Sequence, residues 1–418
     1  MDRTIAPEVK NVSEISFVNP INIALNEHVT LHWMKDVPNE TARMELYFDA
    51  GTMTCKDGTS SFVNNLLFSG DSQKSAMNIH QELDYLGAYF DSSVSTETAT
   101  LGLYGLRDNF PAMVRIVHDA LTRMSCVESE VKEVVADRKQ NYLVNMEKTK
   151  FQAQREFQKR LFASSEIYSK VAQLEFYENV SPEKLKEYYR KHYLNGLSKI
   201  NLVGNFDEAF VDEIKELFQP WAQKSPSSFE NKIENKRGQT HVEVKDAMQS
   251  AIRVGKILFN KKHQEFIDFQ ILNTILGDYF GSRLMTNIRE DKGFTYGIGS
   301  MVAEYKNFGY FMIATEVAKE FKEATLDEIK KEIEILQNDL VSEDELGLIR
   351  NYLLGQMLKS ADGPYSMMDL YLSVEWHDKD FSYYNQVLER IRNITPQRIQ
   401  DLAKEHLNWS EMTIVSAG

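Results

Sequence analysis

Residues 181–204 read SPEKLKEYYRKHYLNGLSKINLVG, and residues 395–418 read TPQRIQDLAKEHLNWSEMTIVSAG. Both stretches begin with a hydroxyl residue and a proline, continue as an amphipathic helix and end in an apolar strand that stops at glycine. They align at one offset, 418 − 204 = 214. The matching positions are Ser181-Pro182 with Thr395-Pro396, His192 with His406, and Gly204 with Gly418. This repeat predicts two copies of one α+β unit, each of roughly 200 residues, rather than one large domain.

Segments outside the two repeated stretches fit the same α+β plan. Strands are predicted at 29–35, 42–51 and 98–106, and amphipathic helices begin near Phe110 and Phe321. The stretch 220–249 is rich in Pro, Ser, Lys and Asn and lacks apolar periodicity, so it is interpreted as a connector whose later part could pair as a strand. The predicted domains are therefore 1–219 and 250–418.

The composition limits the possible partners. The chain has 48 Lys and Arg against 62 Asp and Glu, a net charge of −14, which argues against nucleic-acid binding. No apolar run is long enough to span a membrane, so no membrane partner is expected. The N-terminus lacks an apolar signal core and the chain has two cysteines, Cys55 and Cys126, so a cytoplasmic location is predicted.

Obvious metal-binding patterns are missing as well. Two cysteines are too few for a thiolate site. His28 and His32 have the spacing of helical zinc ligands, but they lie in the β-rich sequence EHVTLHW, where four residues span roughly 13 Å. We therefore predict no metal site from these residues.

One segment of the first half has an unusual polar face. Residues 58–71, GTSSFVNNLLFSGD, read as a helix place Ser61, Asn64, Asn65 and Phe68 on one side. Small neutral polar groups inside an otherwise apolar helix need an explanation. The simplest alternative to a functional role is a solvated helix face beside a cleft.

The surroundings of this segment resemble the pitrilysin/insulinase family of zinc metallopeptidases with an inverted motif, in its small-subunit branch that includes the mitochondrial processing peptidase. The similarity rests on glycines and apolar residues around the segment and on a stretch of the second half. The matching positions are Ala50-Gly51, Gly58, Phe62, Phe68, Gly70, Leu86-Gly87-Ala88 and the stretch 272–300, LNTILGDYFGSRLMTNIREDKGFTYGIGS. The resemblance implies two duplicated domains, each a mainly antiparallel sheet with helices on one face.

The chain departs from this family where zinc would bind. The two zinc histidines of the family fall on Ser61 and Asn65, and its general-base glutamate falls on Asn64. The third ligand falls in the window 138–140, Arg-Lys-Gln, where only the nearby Asp137 is acidic. Neutral hydroxyl and amide groups cannot replace imidazole and carboxylate as zinc ligands. No metal or cofactor is therefore expected in this chain.

A second pair of family residues is present. In active members, an arginine and a tyrosine seven residues later reach the zinc site from the second half, and Arg289 and Tyr296 have this spacing. The alternative places Arg289 in a surface ion pair and Tyr296 in the core.

Together these features resemble the non-catalytic subunits of two-subunit family members. The implied function is that of a zinc-lacking subunit, inactive alone, that supplies Arg289 and Tyr296 in trans to a partner with the HxxEH motif, which would hold the zinc and cleave peptides. Two alternatives stay open. The chain could be a structural or chaperone-like protein without a role in proteolysis, or a homodimeric module that binds peptides or unfolded polypeptide.

Overall fold

The computed structural model describes residues 15–71, 73–221, 229–230 and 232–418. Its strands form two sheets, one in each half of the chain. The strands are β1 Ile21–Ala24, β2 Thr30–Met34, β3 Thr41–Phe48, β4 Tyr89–Val94, β5 Ala99–Leu106, β6 Leu197–Val203, β7 Gly238–Val242, β8 Gln249–Leu258, β9 Thr295–Glu304, β10 Gly309–Ala318 and β11 Thr413–Ala417.

Helices connect the strands in both halves. Two short π-helical segments, Arg190–Leu194 and Met285–Asp291, add to them. The α-helices are α1 Thr59–Asn65, α2 Ala76–Leu86, α3 Phe110–Arg123, α4 Glu128–Met146, α5 Thr149–Leu161, α6 Pro182–Tyr189, α7 Glu208–Phe218, α8 Phe266–Leu276, α9 Lys322–Asn338, α10 Glu343–Ser360, α11 Gly363–Glu375, α12 Ser382–Asn393 and α13 Pro396–His406.

The two sheets share a plan of five strands, to which the first sheet adds β1 at its edge. The first has the strand order β1-β2-β6-β3-β5-β4, and the second has β7-β11-β8-β10-β9. The strand from the repeated stretch pairs in the same way in both sheets. Strand β6 is parallel to β2 and antiparallel to β3, and β11 is parallel to β7 and antiparallel to β8. The prediction of two duplicated α+β domains with mainly antiparallel sheets is confirmed.

The repeated stretches fold as their sequences predict. The Ser181 hydroxyl accepts a hydrogen bond from the Lys184 amide at the start of α6, and the Thr395 hydroxyl does the same for the Arg398 amide at the start of α13. These side chains satisfy backbone donors that the first helical turn leaves free. Each helix then leads into an interior strand of its sheet, β6 or β11.

Part of the predicted connector lies outside the described residues, namely 222–228 and 231. Its later part forms β7, which pairs with β11 from Gly238↔Thr413 to Val242↔Ala417. The domain boundaries at 219 and 250 stay a prediction.

One face of each sheet is covered by helices of its own half. In the first half, β3 and β5 point Met44, Leu46 and Leu101 into the helices. In the second half, Val254 of β8 and Ile313 of β10 do the same. Alternate residues of a strand point to opposite faces, so this leaves the other face of each sheet to be covered.

The two halves cover these remaining faces by exchanging helices. Helix α5 of the first half packs on β8 and β11 of the second sheet, and α11 of the second half packs on β6 of the first. The two helices are 214 residues apart, since 363 − 149 = 214 and 375 − 161 = 214. The prediction of helices on one face thus holds within each half, and the opposite face carries a helix of the other half. Sequence periodicity could not reveal this, because it shows that a helix has an apolar face but not which sheet receives it.

Helices long and apolar enough to cross a membrane are absent from the part of the chain that the structure describes.

Candidate functional site

Helix α1 holds the three positions that the sequence singled out. Gly58 precedes it with φ +77°, a left-handed conformation that glycine adopts readily. Asp57 accepts a hydrogen bond from the Thr59 amide at 3.2 Å and so helps to start the helix. The helix ends at Asn65, earlier than the predicted span of 58–71, and residues 66–68 form turns. It packs against α6 and β4.

Asn64, at the general-base position of the family, is buried and fully engaged. Its side-chain oxygen accepts a hydrogen bond from the Tyr193 hydroxyl at 3.2 Å, and its amide nitrogen donates to the Ser92 hydroxyl at 3.2 Å. Burial raises the pKa of Tyr193 well above its usual range, so this phenol stays protonated. Asn64 therefore ties α1 to β4 and to the π-helical segment, and it cannot take up a proton from water.

Ser61 and Asn65 lie on the more open side of α1. Asn65 is exposed, and its amide donates to the Ser61 carbonyl at 2.6 Å. The expectation that Ser61, Asn64, Asn65 and Phe68 share one polar face is therefore wrong, because Asn64 points inward and the helix ends before Phe68. The two side chains point about 100° apart, Asn64 toward Tyr193 in the interior and Asn65 toward solvent.

Residues 138–140, where the third zinc ligand of the family would fall, do not complete a metal site. Arg138, Gln140 and the neighbouring Asp137 are exposed on α4, and Lys139 forms an ion pair with Glu178 at 3.4 Å. Zinc in proteins is held by imidazole, thiolate or carboxylate groups. Ser61, Asn64 and Asn65 offer none of these, so the residues present do not fit zinc.

Within the described ranges, one group of three possible metal-ligating side chains occurs, and it lies elsewhere: Glu265, Glu405 and His406. Glu265 already accepts hydrogen bonds from Arg398 at 2.6 Å and from His406 at 3.0 Å. His192, which matches His406 in the first half, bonds the Asp49 carbonyl at 2.7 Å. These histidines anchor the repeated helices to their surroundings.

Arg289 and Tyr296 are neighbours at one edge of the second sheet. Arg289 lies in the π-helical segment, and its Nε donates to the Tyr296 carbonyl oxygen at 3.1 Å. Its guanidinium carbon lies 4.8 Å from the centre of the Phe280 ring. Tyr296, on the edge strand β9, is 94% exposed, and Phe280 is 64% exposed. Tyr296 is therefore not a core residue. Arg289 does lie in a surface ion pair, with Glu290 at 3.9 Å, as the alternative expected.

The structure does not bring this pair together with α1 within one chain. A cavity of about 540 Å³ lies beside α1, and its lining includes Ser61 and Arg138 but neither Arg289 nor Tyr296. The other walls come from β4, from α5 and from residues 170–177. No sequence pattern marks the residues that α5 and 170–177 contribute, because only the tertiary structure brings these segments beside α1.

Two family models match the chain. Residues 32–175 match the model described as insulinase (peptidase family M16), and residues 179–353 match the peptidase M16 inactive domain. The chain belongs to the M16 peptidase family. The resemblance recognised in the motifs is thereby confirmed.

Some relatives in the M16 family are named as zinc proteases and another as an inactive metalloprotease. An uncharacterized zinc protease of Bacillus subtilis, YmxG, is 20% identical over 84% of this chain and 85% of its own length. An uncharacterized zinc protease of Rickettsia bellii is 23% identical over 69% of this chain and 70% of its own length. A probable inactive metalloprotease of Bacillus subtilis, YmfF, is 22% identical over 53% of this chain and 52% of its own length.

Solved structures share the fold. The crystal structure of a peptidase M16 inactive domain from Pseudomonas fluorescens superposes with a TM-score of 0.87 at 21% identity, covering 96% of this chain and 98% of that one. A protease from Helicobacter pylori superposes with a TM-score of 0.81 at 13% identity, covering 96% and 100%. The matches and the neutral α1 are consistent with a non-catalytic member of the M16 family.

Proposed function

We propose that this protein is the zinc-lacking subunit of a heterodimeric M16 peptidase. Its partner would be a paralogue that carries the HxxEH motif, and Arg289 and Tyr296 would complete the partner's active site in trans. One observation carries the proposal: α1 offers no zinc ligand or base, whereas both Arg289 and Tyr296 are present, Arg289 half-buried and Tyr296 exposed. The substrates would be peptides or unfolded polypeptide segments.

The chemistry of the pair suits this role. Hydrolysis of a peptide bond places negative charge on the carbonyl oxygen in the transition state, and a fixed cation with a phenolic donor stabilises such charge. Arg289 is held by the Tyr296 carbonyl and the Phe280 ring, so its guanidinium is positioned before a substrate arrives. Within the described residues the Tyr296 hydroxyl has no hydrogen-bond partner, so it is free to donate to a second chain or to a peptide.

Strand β9 provides a matching surface for an extended peptide. It is the edge strand of the second sheet, and Tyr296 lies near its first residue. A peptide that adds to a sheet edge gains backbone hydrogen bonds with little demand on its sequence. The pair would then lie beside the carbonyl groups of such a peptide.

The isolated chain should hold no stoichiometric zinc and should cleave no unstructured peptide. The reason is that Ser61, Asn64 and Asn65 supply neither ligands nor a base. Metal analysis of the purified chain and a fluorogenic peptidase assay check this. One tightly bound zinc per chain together with chelator-sensitive cleavage would overturn the proposal.

The partner complex provides the decisive test. A neighbouring reading frame that encodes an HxxEH paralogue identifies the candidate partner, and co-purification from the native organism confirms assembly. In the reconstituted heterodimer, Arg289→Ala and Tyr296→Phe should each lower kcat by about tenfold or more, as loss of an oxyanion donor does. The zinc content and the assembly of the complex should not change.

Matched controls separate chemistry from folding. Arg190→Ala and Tyr85→Phe change the same residue types outside this region, since Arg190 is exposed and Tyr85 is 91% exposed. Arg283, in the same segment as Arg289, is a poor control because it forms two hydrogen bonds with Glu345, at 2.9 and 2.8 Å. If both site variants keep full activity, the chain acts as a structural or chaperone-like scaffold instead. A chain that binds peptides as a homodimer and recruits no paralogue would likewise contradict the proposal.

A further inference from the structure

The cavity beside α1 carries a charge opposite to that of the whole protein. Three cations line it, Arg138 from α4, Arg155 from α5 and Lys170, and none of the described residues that line it is Asp or Glu. None of the three forms an ion pair with a carboxylate among the residues described. The net charge of the chain is −14, so this is a local reversal of sign.

Hydrogen bonds to backbone carbonyls hold two of the cations, Arg155 and Lys170, and the loop 168–173 in place. Arg155 donates to the Ala172 carbonyl, and Lys170 donates to the Cys55 carbonyl. Gln158, which also lines the cavity, donates to the carbonyls of Tyr168 at 3.1 Å and Lys170 at 2.8 Å. These bonds connect α5, the loop 168–173 and Cys55, which precedes α1, to one another. The cavity wall is therefore built before any ligand binds.

Aromatic rings lie between the cations. The Arg155 guanidinium is 5.5 Å from the centre of the Tyr142 ring and 5.7 Å from that of Phe151, and the Lys170 ammonium is 5.7 Å from that of Phe176. Burial lowers the pKa of Lys170, so an incoming anion would offset a cost that the folded chain already bears. Cations with adjacent rings suit a ligand that has both a negative group and hydrocarbon.

We propose that this cavity binds a peptide through a carboxylate group flanked by apolar side chains. Arg138, Arg155 and Lys170 would receive the carboxylate, and the rings would receive the neighbouring hydrocarbon. A volume of about 540 Å³ lies within the usual range for sites of small ligands. Ser61 and Arg138, which fall at ligand positions implied by the family resemblance, would thus serve recognition in this chain. The inference concerns the isolated chain and does not depend on Arg289 and Tyr296 acting in trans.

The test is calorimetric titration of the full chain with three acetylated apolar tetrapeptides. The first contains one glutamate and an amidated end, the second has glutamine in its place and a free terminal carboxylate, and the third has glutamine and an amidated end. The first or the second should bind, and the third should bind at least tenfold more weakly. The stronger of the first two identifies the source of the carboxylate as a side chain or a chain terminus.

Variants locate the binding to the cavity. Arg138→Glu should weaken binding of the preferred peptide at least tenfold. The matched control Lys132→Glu makes the same charge change on the same helix, where Lys132 is 75% exposed and pairs with Glu128, and it should change Kd less than twofold. Ser61→Trp should block binding by filling the cavity from α1. Circular dichroism and thermal melts confirm that each variant is folded.

Four results would overturn the proposal. They are equal binding of the uncharged peptide, no binding of any peptide at millimolar concentration, an equal loss of affinity in Lys132→Glu and Arg138→Glu, and inorganic phosphate binding as tightly as the peptides. The last would identify a general site for small anions.

Discussion

Helices α5 and α11 occupy equivalent places in the two halves, yet different interactions hold them. Helix α5 meets the second sheet mainly through Ala153, Phe157 and Leu161, which are at most 1% exposed, with one side-chain hydrogen bond, from Arg253 to Gln154 at 3.3 Å. Helix α11 meets the first sheet through the buried Met368 and Val374 and also through charged and polar pairs. The pairs are Arg43 with Asp369, Lys199 with Glu375, and Asn22 with Tyr371.

The difference shows that duplication preserved the position of the helix but not the forces that hold it. Phe157 and Tyr371 are themselves 214 residues apart, since 371 − 157 = 214. Phe157 packs with Phe308, Met312 and Val415, whereas the Tyr371 hydroxyl accepts a hydrogen bond from Asn22 at 3.1 Å. The contact of α5 with the second sheet should therefore lose stability mainly when buried apolar area is removed. The contact of α11 with the first sheet should lose stability when the pH changes or a polar partner is removed.

The largest effect is expected for Phe157→Ala. Removing a fully buried aromatic ring leaves a cavity and typically costs about 3–5 kcal/mol of unfolding free energy. Urea unfolding followed by circular dichroism measures it. The control Lys150→Ala, exposed on the same helix, should change stability by less than about 0.5 kcal/mol. A loss below about 1 kcal/mol for Phe157→Ala would show that α5 is not held by apolar packing.

A smaller effect is expected from acid at the first sheet. His32 on β2 is buried, with Nδ1 2.7 Å from Asn22 Oδ1. Burial, and then the charge of Lys199, lowers the pKa of His32 to about 4. Between pH 6.5 and about 4 the unfolded chain binds a proton at this residue and the folded chain does not, so stability should fall as the pH falls. The loss attributable to His32 is up to roughly 3 kcal/mol.

Burial also lowers the pKa of His377 to about 4, so His377 likewise makes the stability fall as the pH falls. Comparing wild type with His32→Gln isolates the contribution of His32. Unfolding free energies at pH 7, 6, 5 and 4.5 should converge for the two proteins as the pH falls, because wild type loses the most. Parallel curves would mean that His32 does not titrate with folding.

The smallest effect is expected for Tyr371→Phe. The substitution removes the hydrogen bond to Asn22, and because Asn22 is exposed, water can replace the phenol. The expected loss is about 0.5–1 kcal/mol, measured by the same urea titration. A loss as large as that of Phe157→Ala would contradict the contrast between the two helices.

Much of the fold followed from local patterns in the sequence. The Ser-Pro and Thr-Pro starts, the helix periodicity and the terminal glycines at 204 and 418 predicted two similar domains, and the structure confirms them. The family was recognisable from glycine and apolar positions around α1. The absence of ligand residues at Ser61, Asn64 and Asn65 was likewise readable, because it depends on residue type alone.

Residue types and short-range spacing thus specify the duplicated domains, the M16 resemblance and the lack of zinc-ligand side chains. Long-range packing sets which sheet each exchanged helix covers, the inward orientation of Asn64 to Tyr193, the exposure of Tyr296, and the cavity lined by Arg138, Arg155 and Lys170. The physical reason is that an apolar stripe or a charge specifies that a residue needs a partner. Which partner it meets depends on how segments far apart in the chain pack together.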